Sequence, residues 1–329
     1  MTYVVRRLGF YLVALWVALT INFVLPRMMP GNPAQLLMAN FQGRLSPRAM
    51  HSLEVAFGLN LHQSLPAQYL LYLGQLLHGD FGTSLTYFPT SVGQVIATSL
   101  PWTLGLVGLS TVVSFSIGVG VGILSAWRRG SRLDATLPPL ATFLSAFPYF
   151  WLALAFLYVF GFLLGWLPLS GAYTASMTPA LSLAFVGDVV RHGILPALTI
   201  VITSVGGWLV TMRNTMIATL AEDYVVMAQA KGLPERRVMV HYAARNAILP
   251  NITGFAMSLG FVVGGAIVTE IVFSYPGVGF QLLQAVQRED YPLMQAIFLL
   301  ISCAVLGANL LADILYSVLD PRVRQRAAA

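Results

Sequence analysis

The chain has 329 residues, of which 57% are hydrophobic and only 9% charged, with a mean hydropathy of +0.76. Soluble domains carry about 25% charged residues, so this chain cannot cover a water-facing surface and reads as an all-α polytopic membrane protein. The net charge of +6 rests on dispersed, nearly all-arginine residues, which argues against nucleic acid as a partner, and the lone cysteine, Cys303, excludes an intrachain disulfide and a cysteine zinc site.

A membrane span needs about 20 apolar residues. Six runs meet or approach that length: residues 8–26, 101–126, 135–167, 194–212, 247–273 and 292–319. The first follows Arg6 and Arg7 like a secretory signal. No small-x-small cleavage pattern follows Leu25, so the run is expected to remain as a first transmembrane helix. Segment 27–100 opens on the turn Pro30-Gly31-Asn32-Pro33, offers a helix start at Ser46-Pro47-Arg48, and carries one apolar face over residues 65–78. It is too small for an enzyme domain and is expected to form a helical cap on the outer membrane face. The third run contains Pro138, Pro139 and Pro148, so it is expected to tilt or to begin at the interface.

Orientation follows from the basic residues. With a cytoplasmic N-terminus, inner segments hold Arg6, Arg7, Arg128, Arg129, Arg132, Arg213, Lys231, Arg236, Arg237, Arg245, Arg322, Arg324 and Arg326. Outer segments hold only Arg27, Arg44, Arg48, Arg191 and Arg288. The positive-inside rule therefore places both termini in the cytoplasm, in agreement with an even number of spans.

Segment 222–250 is a charged island between two apolar runs and holds the only lysine, Lys231. Glu222, Asp223 and Tyr224 suit a helix start, Gly232 its C-terminal stop, and Pro234 follows directly. Ala228 and Ala230 add little bulk, so a partner's groove could close around such a helix. On these grounds alone, a docking helix and a plain ordered loop both stand.

Other signals have bland readings. Asp80-Phe81-Gly82 matches a kinase triplet with none of the kinase context. Gly118, Gly120 and Gly122, and Gly260, Gly264 and Gly265, lie within apolar runs and read as close helix packing. The five histidines form no metal-binding pair, and Lys231 is flanked by Ala230 and Gly232 rather than a P-loop sequence. Two acids enter the spans. Glu270 either reaches interfacial water near the end of span five or lines the pathway. Asp313 either pairs with Arg128 or Arg129 or lines the pathway.

In this order the motifs resemble the permease subunits of binding-protein-dependent ABC importers, specifically the first permease of the oligopeptide, dipeptide and nickel group. The resemblance runs nearly end to end. It rests on Arg6-Arg7-Leu8, Leu25-Pro26-Arg27-Met28-Met29-Pro30-Gly31-Asn32-Pro33, Gly79-Asp80-Phe81-Gly82-Thr83-Ser84 and Arg128-Arg129-Gly130-Ser131-Arg132-Leu133-Asp134. It continues through Phe147-Pro148-Tyr149-Phe150-Trp151-Leu152, Ile194-Leu195-Pro196-Ala197-Leu198-Thr199 and Asp320-Pro321-Arg322. Most telling is Thr269-Glu270-Ile271-Val272-Phe273-Ser274-Tyr275-Pro276-Gly277-Val278-Gly279.

The island looks like the family's coupling loop, with Glu222, Asp223, Tyr224, Ala228, Ala230, Lys231, Gly232 and Leu233 as coupling residues and Arg245-Asn246-Ala247-Ile248-Leu249-Pro250 downstream. Gln229 or its neighbours stand where the family pattern has an acid, and the spacer to Leu249-Pro250 is long, as is common in the peptide group.

The resemblance implies a type I importer permease fold in a bacterial or archaeal cytoplasmic membrane. It implies a second homologous permease, two ATPase subunits that hold ATP and Mg2+, and an external substrate-binding protein, with no cofactor or catalytic site on this chain. Peptides are the expected cargo, with oligosaccharides and nickel chelates as alternatives within the group. An ATP-independent channel or secondary carrier is the alternative class and would show inverted repeats, which are not evident. An intramembrane enzyme lacks any catalytic constellation.

Overall fold

The computed structural model describes residues 2–28, 64–180, 182–264 and 266–319. The motifs Pro30-Gly31-Asn32-Pro33, Ser46-Pro47-Arg48 and Asp320-Pro321-Arg322 lie outside them. The described chain is helical, with a single isolated bridge between Thr83 and Ser91.

Helix α1 is Thr2–Met28 and α2 is Leu65–Leu77. Helix α3, Val92–Trp127, starts at a complete capping box, in which the Ser91 hydroxyl accepts from the Gln94 amide and the Gln94 side chain accepts from the Ser91 amide. Pro101 has no N–H to give, and just beyond it α3 widens into a π-helical turn at Leu104–Gly108. Helices α4, Arg132–Ser145, and α5, Tyr149–Leu163, meet at a 96° bend. The break falls at Pro148 and not at Pro138-Pro139, which α4 carries within its length.

Helix α6 is Leu183–Leu220, capped by the Ser182 hydroxyl. Helix α7, Asp223–Ala230, and α8, residues 235–247 with a π-helical core at Val238–Ala244, follow. Helix α9 is Leu249–Gly264, α10 is Ile267–Val272, α11 is Val278–Gln287 and α12 is Tyr291–Leu319. Among the described residues, five helices or helix pairs are long and apolar enough to cross a membrane, and α4 with α5 makes a sixth if the bent pair is one span.

Several spans differ in extent from the apolar runs. Helix α3 begins at Val92, nine residues before the run at 101, and α6 runs for 38 residues where the run covers 194–212. At about 1.5 Å per residue, the 38 residues of α6 are far longer than a hydrocarbon core is thick. Around α6 the apolar run stops at the flanking charges Arg191 and Arg213, whereas the helical backbone does not; before residue 101 it is the polar Gln94, Thr98 and Ser99 that interrupt the run while α3 continues. The 247–273 run is two helices, because α9 ends at Gly264 and α10 starts after Ala266.

The main seam is the packing of α3 on α6, where the chains approach backbone to backbone. A Cβ on Gly118 would lie 2.6 Å from Trp208 Cβ and 2.8 Å from the Val205 carbonyl. One on Gly122 would lie 2.7 Å from the Leu209 carbonyl. Helix α9 packs likewise on α12 through Gly260, whose missing Cβ leaves room for Ala308. Gly120 faces no neighbour within 4 Å.

At the end of α3 that leads into α4, Asp134 accepts four hydrogen bonds. They come from Arg213 Nε at 2.6 Å and Nη2 at 3.1 Å, the Gly130 amide at 3.0 Å and the Ser125 hydroxyl at 3.1 Å. This bidentate pair fastens the α3–α4 turn to α6. Asp134→Ala is expected to lower the thermal stability of the detergent-solubilised chain by about 2 kcal/mol, while Arg213→Lys, which keeps charge but loses the fork, should cost less. Equal melting of Asp134→Ala and the parent would remove this clasp from the account of the fold.

Candidate coupling interface

Helices α7 and α8 form a folded knob on the joint between α6 and α9. Glu222 occupies the N-cap position of α7 in an extended conformation, and Gly232 follows the helix at φ +72°, in the left-handed region that glycine adopts without strain. The Gly232 amide donates to the Gln229 carbonyl at 2.9 Å and the Leu233 amide to the Ala228 carbonyl at 3.3 Å, closing the turn.

Val225 and Ala228, three residues apart, share the inward face. They are buried against Val119, Ala126, Met212, Met216, Val238, Ala243 and Ala244. The knob thus packs on the ends of both α3 and α6. Asn246 Nδ2 donates to the Tyr224 hydroxyl at 2.9 Å, tying α7 to the entry of α9.

The outward face differs from the sequence expectation. Ala228 is only 2% exposed and belongs to the knob's own core, so it cannot be the small residue offered to a partner. Tyr224, Val226 and Met227 are exposed instead, at 42%, 51% and 57%, with Ala230 and Lys231 beside them. Arg236, Arg237 and Arg245 are exposed on α8. The sequence reading passed over Val226 and Met227, although the i, i+3 spacing of Val225 and Ala228 assigns them to the opposite face.

The two intramembrane acids lie elsewhere. Glu270 is fully buried and does not reach interfacial water. Asp313 pairs with Arg7 and accepts from the Tyr11 hydroxyl at 2.6 Å, in place of the expected Arg128 or Arg129. The reason is topological: α1 packs along α12, and the Asn22 side chain donates to the Gln295 carbonyl at 2.7 Å further along the same seam. An open groove lined by Asp134, Pro138, Pro139, Thr142, Phe143 and Arg213 includes neither acid. Among the described residues no group of three or more histidine, cysteine or acidic side chains could hold a metal ion.

Comparison with known proteins places this architecture. The family model described as the binding-protein-dependent transport system inner membrane component matches residues 118–325. The chain belongs to that family.

The permease is 39% identical over 308 residues to a protein of Brucella suis biovar 1, covering 93% of this chain and 94% of that one. It is 34% identical over 322 residues to the oligopeptide transport system permease protein AppB of Bacillus subtilis, covering 98% of each. It is 33% identical over 339 residues to the di/tripeptide transport system permease protein DppB of Pseudomonas aeruginosa, covering 99% of each. The family match takes in α6, the knob and α9 together, so the permease is a multi-pass membrane component of an ABC importer.

Proposed function

We propose that this chain is one of two homologous permeases of an ATP-driven, binding-protein-dependent importer of peptides, working by alternating access. The knob faces the cytoplasm with both termini, as the arginine distribution favours. It receives force from one of two ATPase subunits, which hold the ATP and Mg2+, and the chain has no hydrolytic site of its own. The external binding protein delivers substrate at the opposite membrane face, in the cytoplasmic membrane of a bacterium or archaeon.

The observation that carries this reading is the build of residues 222–250. An ordered eight-residue helix presents Tyr224, Val226 and Met227 outward while its other face is packed into the ends of two spans. An apolar tip with exposed arginines nearby suits a protein cleft, and its rigid root passes displacement to α3, α6 and α9. Peptides as cargo rest on the relatives AppB and DppB, aligned over nearly their whole length.

The test is reconstitution of the permease with its co-purifying subunits in vesicles. ATP-dependent, binding-protein-dependent accumulation of labelled di- to oligopeptides is expected. Accumulation without ATP, or of oligosaccharides or nickel chelates but not peptides, would overturn the mechanism or the cargo respectively.

A further inference from the structure

At the end of the bundle remote from the knob, the first amides of α11 are capped by residues from outside that helix. The Gly279 amide donates to Glu270 Oε2 at 2.7 Å and the Phe280 amide to the same oxygen at 3.1 Å. The Val278 amide donates to the Thr103 hydroxyl at 2.7 Å, and that hydroxyl donates to Glu270 Oε1 at 2.8 Å. Three of the four amides a helix start leaves open are thus satisfied by one carboxylate and one hydroxyl.

Glycines make the approach possible. A Cβ on Gly277 would collide with the Glu270 carboxyl, and one on Gly279 would lie 2.8 Å from Ile267 Cα. No arginine, lysine or histidine pairs with Glu270 among the described residues, so the helix start is its chief electrostatic partner.

Glu270 belongs to α10 and Thr103 lies immediately before the π turn of α3. The cap therefore fastens α3 to α10 and α11, which only the short turn at residues 273–277 otherwise joins to each other. The connection before α6 is tied in nearby, where the Gly171 amide donates to the Phe273 carbonyl at 2.9 Å, and Tyr275 meets the ring of Trp102 on α3 edge-on at 6.1 Å. Burial pushes the Tyr275 phenol up to about 12, so it remains a neutral part of this assembly.

We propose that Glu270 and Thr103 are positioning residues for the transport cycle: by capping α11 they make it travel with α3 and α10 when the pathway opens away from the knob. Motion imposed on α3 at its knob end then displaces α11 at the other end, and Glu270 lines no part of the route. This rests on the coupled-import reading given above.

The complete transporter is assembled with Thr103→Val, Thr103→Ser and Glu270→Gln, and peptide uptake and ATP hydrolysis are measured together. Thr103→Val and Glu270→Gln are expected to assemble and hydrolyse ATP at the basal rate while peptide moved per ATP falls about tenfold, the scale of a lost buried hydrogen bond to a charged group. Thr103→Ser, which restores the hydroxyl, should recover most of that ratio. Faster amide hydrogen exchange at residues 278–280 should accompany the loss. An unchanged ratio in Thr103→Val, a Thr103→Ser variant as defective as Thr103→Val, or uptake and hydrolysis falling in strict proportion would each overturn the proposal. Failure of the parent assembly to couple uptake to ATP would instead overturn the import reading beneath it.

Discussion

An arginine at position 228 is expected to abolish ATP-driven uptake while leaving the chain inserted in the membrane. Ala228 packs inside the knob with Val225, Val238 and Ala243, all at most 2% exposed. Overpacking such a site costs about 1–3 kcal/mol, and the guanidinium adds an unpaired charge. The knob is small and sits outside the spans, so its own packing fails before insertion does. Met227→Asp is the informative companion, because that side chain is exposed and its loss leaves the knob core intact. Uptake should fall in both variants, but only Ala228→Arg should increase proteolysis within 222–250. Full co-purification of the ATPase with Met227→Asp would show that the outward face is not where the ATPase docks.

The second large effect lies at the seam of α3 and α6. Even an alanine at Gly118 or Gly122 would place its Cβ within 3.0 Å of atoms on the opposing helix, all of them backbone or Cβ and unable to step aside. Leucine at both positions would force the helices apart, at about 1–3 kcal/mol for each site. Gly118→Leu/Gly122→Leu is expected to lose its monodisperse peak in detergent and all uptake. Gly120→Leu, lying between them on an open face, should elute and melt like the parent. Identical behaviour of the two variants would mean that the seam contributes little to stability.

Hydropathy revealed the spans because burial in lipid selects long apolar runs whatever their neighbours. It could not reveal where α3 and α6 begin, since capping by Ser91 and Ser182 depends on backbone geometry that hydropathy ignores. The stop at Gly232 was legible, because few residues other than glycine enter a left-handed turn without cost. Ala228 was misassigned: small size marks equally a site of external docking and one of internal close packing, and only the burial of Val225 beside it decides. Thr103 carried no sequence signal, being one hydroxyl in an apolar stretch whose partner lies 167 positions away. The partner of Asp313 was obscure for a similar reason, since it depends on α1 folding back along α12.

The π turn at Leu104–Gly108 sets the azimuth of everything before it. An α-helix turns about 100° per residue, so one surplus residue held in a wide turn re-aims the preceding stretch by roughly that angle. Thr103 faces Glu270, and the Gly118 and Gly122 face meets α6, within one continuous helix whose two halves keep different phases. A one-residue deletion within 104–108 that restored regular α-helix would leave both halves equally apolar and equally helical. It would nonetheless swing the Thr103 hydroxyl out of reach of the carboxylate, a lesion invisible to hydropathy or helical propensity.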